Sequence, residues 1–193
     1  DRYLEKLKRA GFNWLALRVE SGSKFVRDGV EKGRFNDLDI VKTTKKIQEH
    51  GIYIIANYIF GLPDDTTESM QETLDLALEI NAEWANFYCA MAYPGSPLYE
   101  RAKSMNLPLP DDTGGPGWIG YSQHGYDSLP LPTDTLSGQD ILDFRDKAFE
   151  KYFSDSSFLG MIREKFGPSV VDHIQNLMGV KLKRRHRDEV GNA

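Results

Sequence analysis

The 193-residue chain sets 24 Lys and Arg against 29 Asp and Glu, a net charge of −5, with 40% hydrophobic and 27% charged residues. That balance reads as a soluble globular protein of one domain, or one domain plus an extension, and argues against a nucleic-acid-binding surface. No apolar run approaches the roughly 20 residues that span a bilayer and no signal peptide is read, so the expected compartment is the cytoplasm; the single cysteine, Cys89, leaves no intrachain disulfide and no multi-cysteine metal site.

In chain order, Tyr3, Leu4, Leu7 and Ala10 recur at helical spacing and Gly11 is a suitable stop. Residues 14–20 read as a short strand running into Ser21-Gly22-Ser23. Arg18 and Glu20, two apart, share one face and make it polar where the sheet end opens. A short helix over 25–31 is followed by Lys32-Gly33-Arg34, and Asn36 or Asp37 caps a helix with Ile40, Val41, Thr44 and Ile47 turned inward. Residues 51–60 are uncharged and rich in β-branched and aromatic side chains, bounded by Gly51 and Gly61, the pattern of a strand buried on both faces. Pro63 cannot extend a central strand; Asp65 or Thr66 then caps a new helix, with Glu68 placed for a capping box. That helix carries Met70, Leu74, Ala77 and Leu78 on one face and stops near Asn81. A third strand is expected over 84–91, broken by Tyr93-Pro94-Gly95-Ser96-Pro97. Strands alternating with helices imply right-handed crossovers and a parallel sheet, an α/β fold.

Beyond Pro97 a short helix leads into a Pro-, Gly- and aromatic-rich loop over 107–137, with Trp118, Tyr121, His124 and Tyr126. A loop of that length inside a compact domain is functional or disordered, and its aromatic content argues for order. Three helices follow, the last two separated by Gly167-Pro168, and the basic run Lys181 to Arg187 reads as a solvated tail.

Candidate chemistry gathers at the C-terminal strand ends. Glu20, Ser21, Asn57 and Asp64 fall there on two strands expected to be close, and could hold ribose hydroxyls or an amino-acid head group. Ser21 and Asp64 taken singly read as turn caps, but Gly22 and Gly61 permit close backbone approach, and the set together reads as a ligand cleft. Lys32 either meets a carboxylate or is solvated. His124 is of a residue type able to titrate near neutrality but has no triad or metal partner beside it, and Cys89 reads as a small core residue. No GxGxxG or GxxxxGK[ST] loop is present, which disfavours a generic nucleotide-binding domain.

Four runs, Val19-Glu20-Ser21-Gly22-Ser23, Val30-Glu31-Lys32-Gly33, the stretch Asn57 to Thr66, and Tyr93-Pro94-Gly95-Ser96-Pro97-Leu98-Tyr99, occur in an order that resembles the radical S-adenosylmethionine (radical SAM) superfamily. The match is to strands four to six, the second half of its partial (β/α) barrel, and looks closest to the branch that often carries a cobalamin-binding domain, including an oxidative cyclase and radical methyltransferases. The resemblance covers 1–105, the barrel half, and the texture of the rest gives 106–137 as loop, 138–180 as helical extension and 181–193 as basic tail. It implies that Glu20 and Ser21 approach S-adenosylmethionine, that Lys32 meets its carboxylate, and that Asn57 stands where relatives place an acid on the ribose. It further implies that Ile59 and Gly61 pack on adenine and that Ala90 and Met91 close that pocket. Residues after Pro97 would shape the substrate pocket, with Trp118, Tyr121 and His124 as substrate contacts, or else pack the C-terminal helices onto the barrel. A glycine usual in the family two residues before the glutamate is here Arg18.

The family's CxxxCxxC motif, which holds an iron–sulfur cluster, is absent. The chain is therefore expected to be a fragment of an enzyme that reductively cleaves S-adenosylmethionine and abstracts hydrogen from a small-molecule substrate, its cluster ligands and any cobalamin-binding part lying outside these residues. The alternative is a non-catalytic α/β binding or scaffold module descended from that fold. A half barrel exposes a strand edge, so self-association or coverage of the edge by the 107–137 loop is expected.

Overall fold

The computed structural model describes residues 2–30 and 39–190. Helix α1 (Arg2–Arg9) leads into β1 (Trp14–Glu20) and α2 (Lys24–Val30). Then come α3 (Ile40–Glu49), β2 (Tyr53–Phe60), α4 (Thr67–Ile80) and β3 (Trp84–Cys89). After α5 (Pro97–Ser104), the loop contains one 3-10 turn (Gly117–Tyr121). Four helices close the described chain: α6 (Gly138–Phe153), α7 (Ser156–Phe166), α8 (Pro168–Met178) and α9 (Arg185–Val190).

The three strands form a parallel sheet in the order β1-β2-β3. Consecutive parallel neighbours need a crossover, and α3 and α4 supply it, packing side by side with α6 on one face. Into that layer β2 sends Ile54, Ala56, Tyr58 and Phe60, all fully buried, and β3 sends Phe87. Tyr58 and Phe60 both stack on Phe87, at 5.4 and 5.8 Å between ring centres. The opposite face carries Tyr53, Ile55, Asn57 and Ile59, each only half-buried. It is this second, less covered face that a barrel would turn inward.

Local chemistry sets the element ends. The expected cap of α3 at Asn36 or Asp37 lies outside the described residues; Asp39 caps it, accepting from the Lys42 amide at 2.9 Å. Thr66 caps α4, but Ser69 rather than Glu68 completes the box: its hydroxyl accepts from the Thr66 amide at 2.9 Å. Asp65 is drawn inward instead, accepting from the Leu62 amide at 2.9 Å and the Ser69 hydroxyl at 2.5 Å. Asn81 ends α4 in the left-handed conformation that an asparagine tolerates. The third strand is two residues shorter than expected, because Ala90 makes its last bond to Phe60 and the chain then turns away.

The basic run is not a solvated tail. Arg184 is 1% exposed. Its guanidinium grips Asp146 of α6 through two bonds of 2.9 and 3.0 Å and donates to the Gly125 carbonyl at 2.9 Å. Arg187 reaches Asp143 and Asp146, and the Arg185 amide donates to the Tyr126 carbonyl at 3.1 Å. Residues 181–190 thus strap the aromatic loop to α6. Charge count alone missed this because the acidic partners lie about 40 residues earlier in the chain.

The outer edge of β3 is partly capped, as a half barrel requires. The Cys89 amide donates to the Gln123 side chain of the loop at 2.9 Å, and Arg145 donates to the Phe87 carbonyl at 2.8 Å. Among the described residues no strand pairs with the other edge of β1.

Candidate functional site

At the C-terminal end of β1 the ladder slips between Arg18 and Glu20, a bulge that turns both Val19 and Glu20 into buried positions. Glu20 sits at φ 65°, the left-handed region that a side chain other than Asn or Asp enters at a cost of about 1–3 kcal/mol. Its carboxylate is held by Arg18, whose Nε donates at 2.9 Å. Such a bulge beside a sheet end re-aims a side chain, here a carboxylate next to the half-open face.

Across the middle of that face Arg18, Asn57 and Asn86 stand in register on the three strands. Asn57 donates to the Leu17 carbonyl at 3.1 Å, Asn86 donates to the Asn57 carbonyl at 3.0 Å, and the Trp84 indole donates to the Asn86 carbonyl at 3.0 Å. A backbone carbonyl only accepts and an indole only donates, so both amides are forced into one orientation. Sequence reasoning singled out Asn57 but missed Asn86 and Trp84. The signal was there: a polar residue at the centre of an otherwise apolar alternating strand, one strand over.

The remaining expected residues divide. Ile59 and Ala90 come together, in a small apolar cluster with Val26 and Leu62. Met91 instead joins the main core. Ser21 is fully buried and bonded to Thr73 at 3.2 Å, while its carbonyl accepts from Arg27 at 2.6 Å. The space at the two glycines is taken by the chain itself. A Cβ on Gly22 would lie 2.4 Å from the Glu72 carbonyl oxygen, and one on Gly61, at φ 76°, would lie 2.7 Å from Ile141. Asp64 packs against Gly29 of α2, and Lys32 lies outside the described residues.

In the loop, Tyr121 stacks on Tyr93 at 5.3 Å and touches Trp118 at 5.6 Å. Asp111 accepts from both Tyr121 and Tyr99, at 2.6 and 2.7 Å. These bonds hold the Asp111 carboxyl below its usual range and push the Tyr99 hydroxyl up to about 12. His124 is not with them; it lies against Arg145, its Nε2 3.3 Å from the guanidinium. Burial, with Arg145 and Arg184 nearby, keeps it below the ordinary histidine range.

Residues 1–77 match the family model described as the Radical SAM superfamily. That stretch holds β1, β2 and most of α4. An uncharacterised methyltransferase of Pyrococcus horikoshii is 31% identical over 111 residues, 56% of this chain and 24% of the relative. The bacteriochlorophyllide d C-12(1)-methyltransferase of Chlorobaculum tepidum is 26% identical over 95 residues, 49% of this chain and 21% of the relative. The anaerobic magnesium-protoporphyrin IX monomethyl ester cyclase of Rubrivivax gelatinosus is 22% identical over 163 residues, 82% of this chain and 27% of the relative. The chain spans about a quarter of the length of these relatives.

The superfamily implies S-adenosylmethionine and an iron–sulfur cluster. The residues present do not fit the cluster. Cys89 is the only cysteine in the chain, it is buried, and burial pushes its thiol up to about 12, where a thiolate ligand is disfavoured. They do fit an adenosyl ligand: a half-open face with a carboxylate, oriented amides and a small apolar cluster at the strand ends.

Proposed function

We propose that this chain is the later part of a radical SAM barrel and that S-adenosylmethionine lies over Glu20, Asn57 and Ile59 at the C-terminal strand ends. The observation that carries the reading is Glu20, a charged residue held in a strained backbone conformation beside an open polar face. Strain of that kind persists only where the surrounding structure holds it, and it clusters at active sites and ligand clamps. Glu20 accepts from the ligand's hydroxyl or ammonium groups. Asn57, its amide oriented through Asn86 and Trp84, contacts the ribose, and Ile59 with Ala90 packs on the base. Gly61 contributes only backbone, since Ile141 occupies the space above it. Lys32 meets the carboxylate of the methionine moiety.

The cluster ligands, and any cobalamin-binding part, belong to sequence outside these residues, paired against the open edge of β1. When bound and reduced, the cofactor supplies hydrogen-abstracting chemistry; this chain binds it, orients it and shapes the substrate side. Tyr93, Tyr121 and Trp118 form that side, a row of rings suited to a planar substrate. Two of the relatives named above carry names of enzymes acting on tetrapyrroles, which supports the same reading.

Titration of S-adenosylhomocysteine into the chain, followed by the side-chain amide resonances of Asn57 and Asn86, tests the site. Saturable shifts of both are expected, with Glu20→Ala and Asn57→Ala each weakening binding by about tenfold, the worth of one good hydrogen bond. Binding that is unchanged in both variants would remove the assignment.

A further inference from the structure

A second cavity, of about 430 Å³, lies along the outer edge of β3, and Trp84 and Asn86, the outer members of the amide row, border it as well. One wall is the strand from Trp84 to Tyr88; the other is α6, the end of α8 and the first residues of the strap. Phe149, Leu177, Met178 and Val180 make it apolar, and it reaches roughly 13 Å along the strand at 3.3 Å per residue. Its size is that of a small-molecule pocket.

An added peptide strand does not suit it. On this edge the Phe87 carbonyl and the Cys89 amide already have Arg145 and Gln123 as partners, so the ladder an incoming strand would read is interrupted. The carboxylates in its lining, Asp146 and Glu150, are already engaged by Arg145, Arg184 and Lys181, and beside them the lining offers donors. The Cys89 amide only donates, so Gln123 must turn its Oε1 to the backbone and its Nε2 away from it. The Arg145 guanidinium likewise only donates, so His124 must accept at Nε2 and carry its proton on Nδ1. The cations on the rim are matched by acids, Lys181 by Glu150 and Arg187 by Asp143 and Asp146, so they add little net charge.

We propose that this cavity binds a small amphipathic molecule, an apolar chain or ring ending in an acceptor oxygen, with Gln123 and His124 donating to that oxygen. The proposal does not depend on S-adenosylmethionine binding, although Trp84 and Asn86 border both sites. It also gives His124 a place distinct from the Tyr121 row.

Decanoate is a suitable probe, read by ¹³C-methyl resonances of the five methionines. Met178 lines the cavity, whereas Met105 is exposed elsewhere and serves as a control. A saturable Met178 shift with Met105 unmoved is expected, with decylamine, which ends in a donor, at least tenfold weaker. Gln123→Glu keeps an oxygen for the Cys89 amide but replaces the second donor by an acceptor. It should weaken decanoate at least tenfold while the amide spectrum stays that of the folded chain. No saturable Met178 shift up to about 1 mM, the range of the weakest specific binding, would overturn the site. Equal shifts at Met105 and Met178 would do the same, and decanoate affinity unchanged in Gln123→Glu would overturn the donor assignment.

Discussion

At the scale of single residues, two buried polar side chains behave oppositely. Tyr58 is fully buried between the sheet and its helices, and its hydroxyl has no hydrogen-bond partner among the described residues. An unpartnered buried hydroxyl costs about 1–3 kcal/mol, so Tyr58→Phe should leave stability unchanged or raise it within that range in urea unfolding. Glu83 is equally buried but fully engaged: it accepts from the Ile54 amide at 2.8 Å and Gln48 at 3.2 Å, and pairs with Lys165 of α7. It ties the N-terminal ends of two strands to a C-terminal helix, on the stability side of the sheet rather than the ligand side. Glu83→Ala should cost about 3–5 kcal/mol, because it strands a partly buried lysine and a buried amide. Glu83→Gln, which keeps an acceptor for Ile54, should cost less.

At the scale of elements, the strands and their crossovers were legible because apolar runs and breakers do not depend on distant partners. Gly51 and Gly61 bracket β2 as the sequence suggests, and Asn81 and Gly167-Pro168 stop helices where expected. What was not legible was non-local pairing. The bond between Ser21 and Thr73, 52 residues on, could not be read from either residue's neighbours in the chain. The strap read as solvated because its acids are on α6. That strap carries a pH dependence whose sign can be worked out. Burial pushes Asp146 and Asp143 upward, but hydrogen bonds and charge from Arg184 and Arg145, and from His186 and Arg187, outweigh it and hold both below the usual carboxylate range. A depressed folded-state value means the stabilisation is present above the unfolded value, about 3.9, and is lost as pH falls through the folded value. Hydrogen exchange at the Arg185 amide, bonded to Tyr126, should therefore accelerate at acid pH below about 4, before amides in β2 lose protection. Simultaneous loss in both places would mean that the strap does not open as a unit.

At the scale of the whole molecule, the sheet is asymmetric, and the asymmetry bears on how much of an enzyme these residues make. The outer edge of β3 is plugged by Gln123 and Arg145, whereas no described strand pairs with the other edge of β1. Unpaired β-edges invite pairing, so the isolated chain should self-associate in a concentration-dependent way, seen by sedimentation, and Ala16→Pro should reduce it without disturbing the β2–β3 pair. The same half of the barrel sets the cofactor expectation. A family-type cluster needs three thiolates, and the chain has one, buried and disfavoured as a thiolate. Anaerobic reconstitution of this chain with iron and sulfide should leave it without the visible absorbance of a cluster. S-adenosylhomocysteine binding should persist under the same conditions, since Glu20, Asn57 and Ile59 are all present. If a stoichiometric cluster forms on this chain alone, the division of labour proposed here, with ligand orientation in these residues and cluster ligation outside them, is wrong.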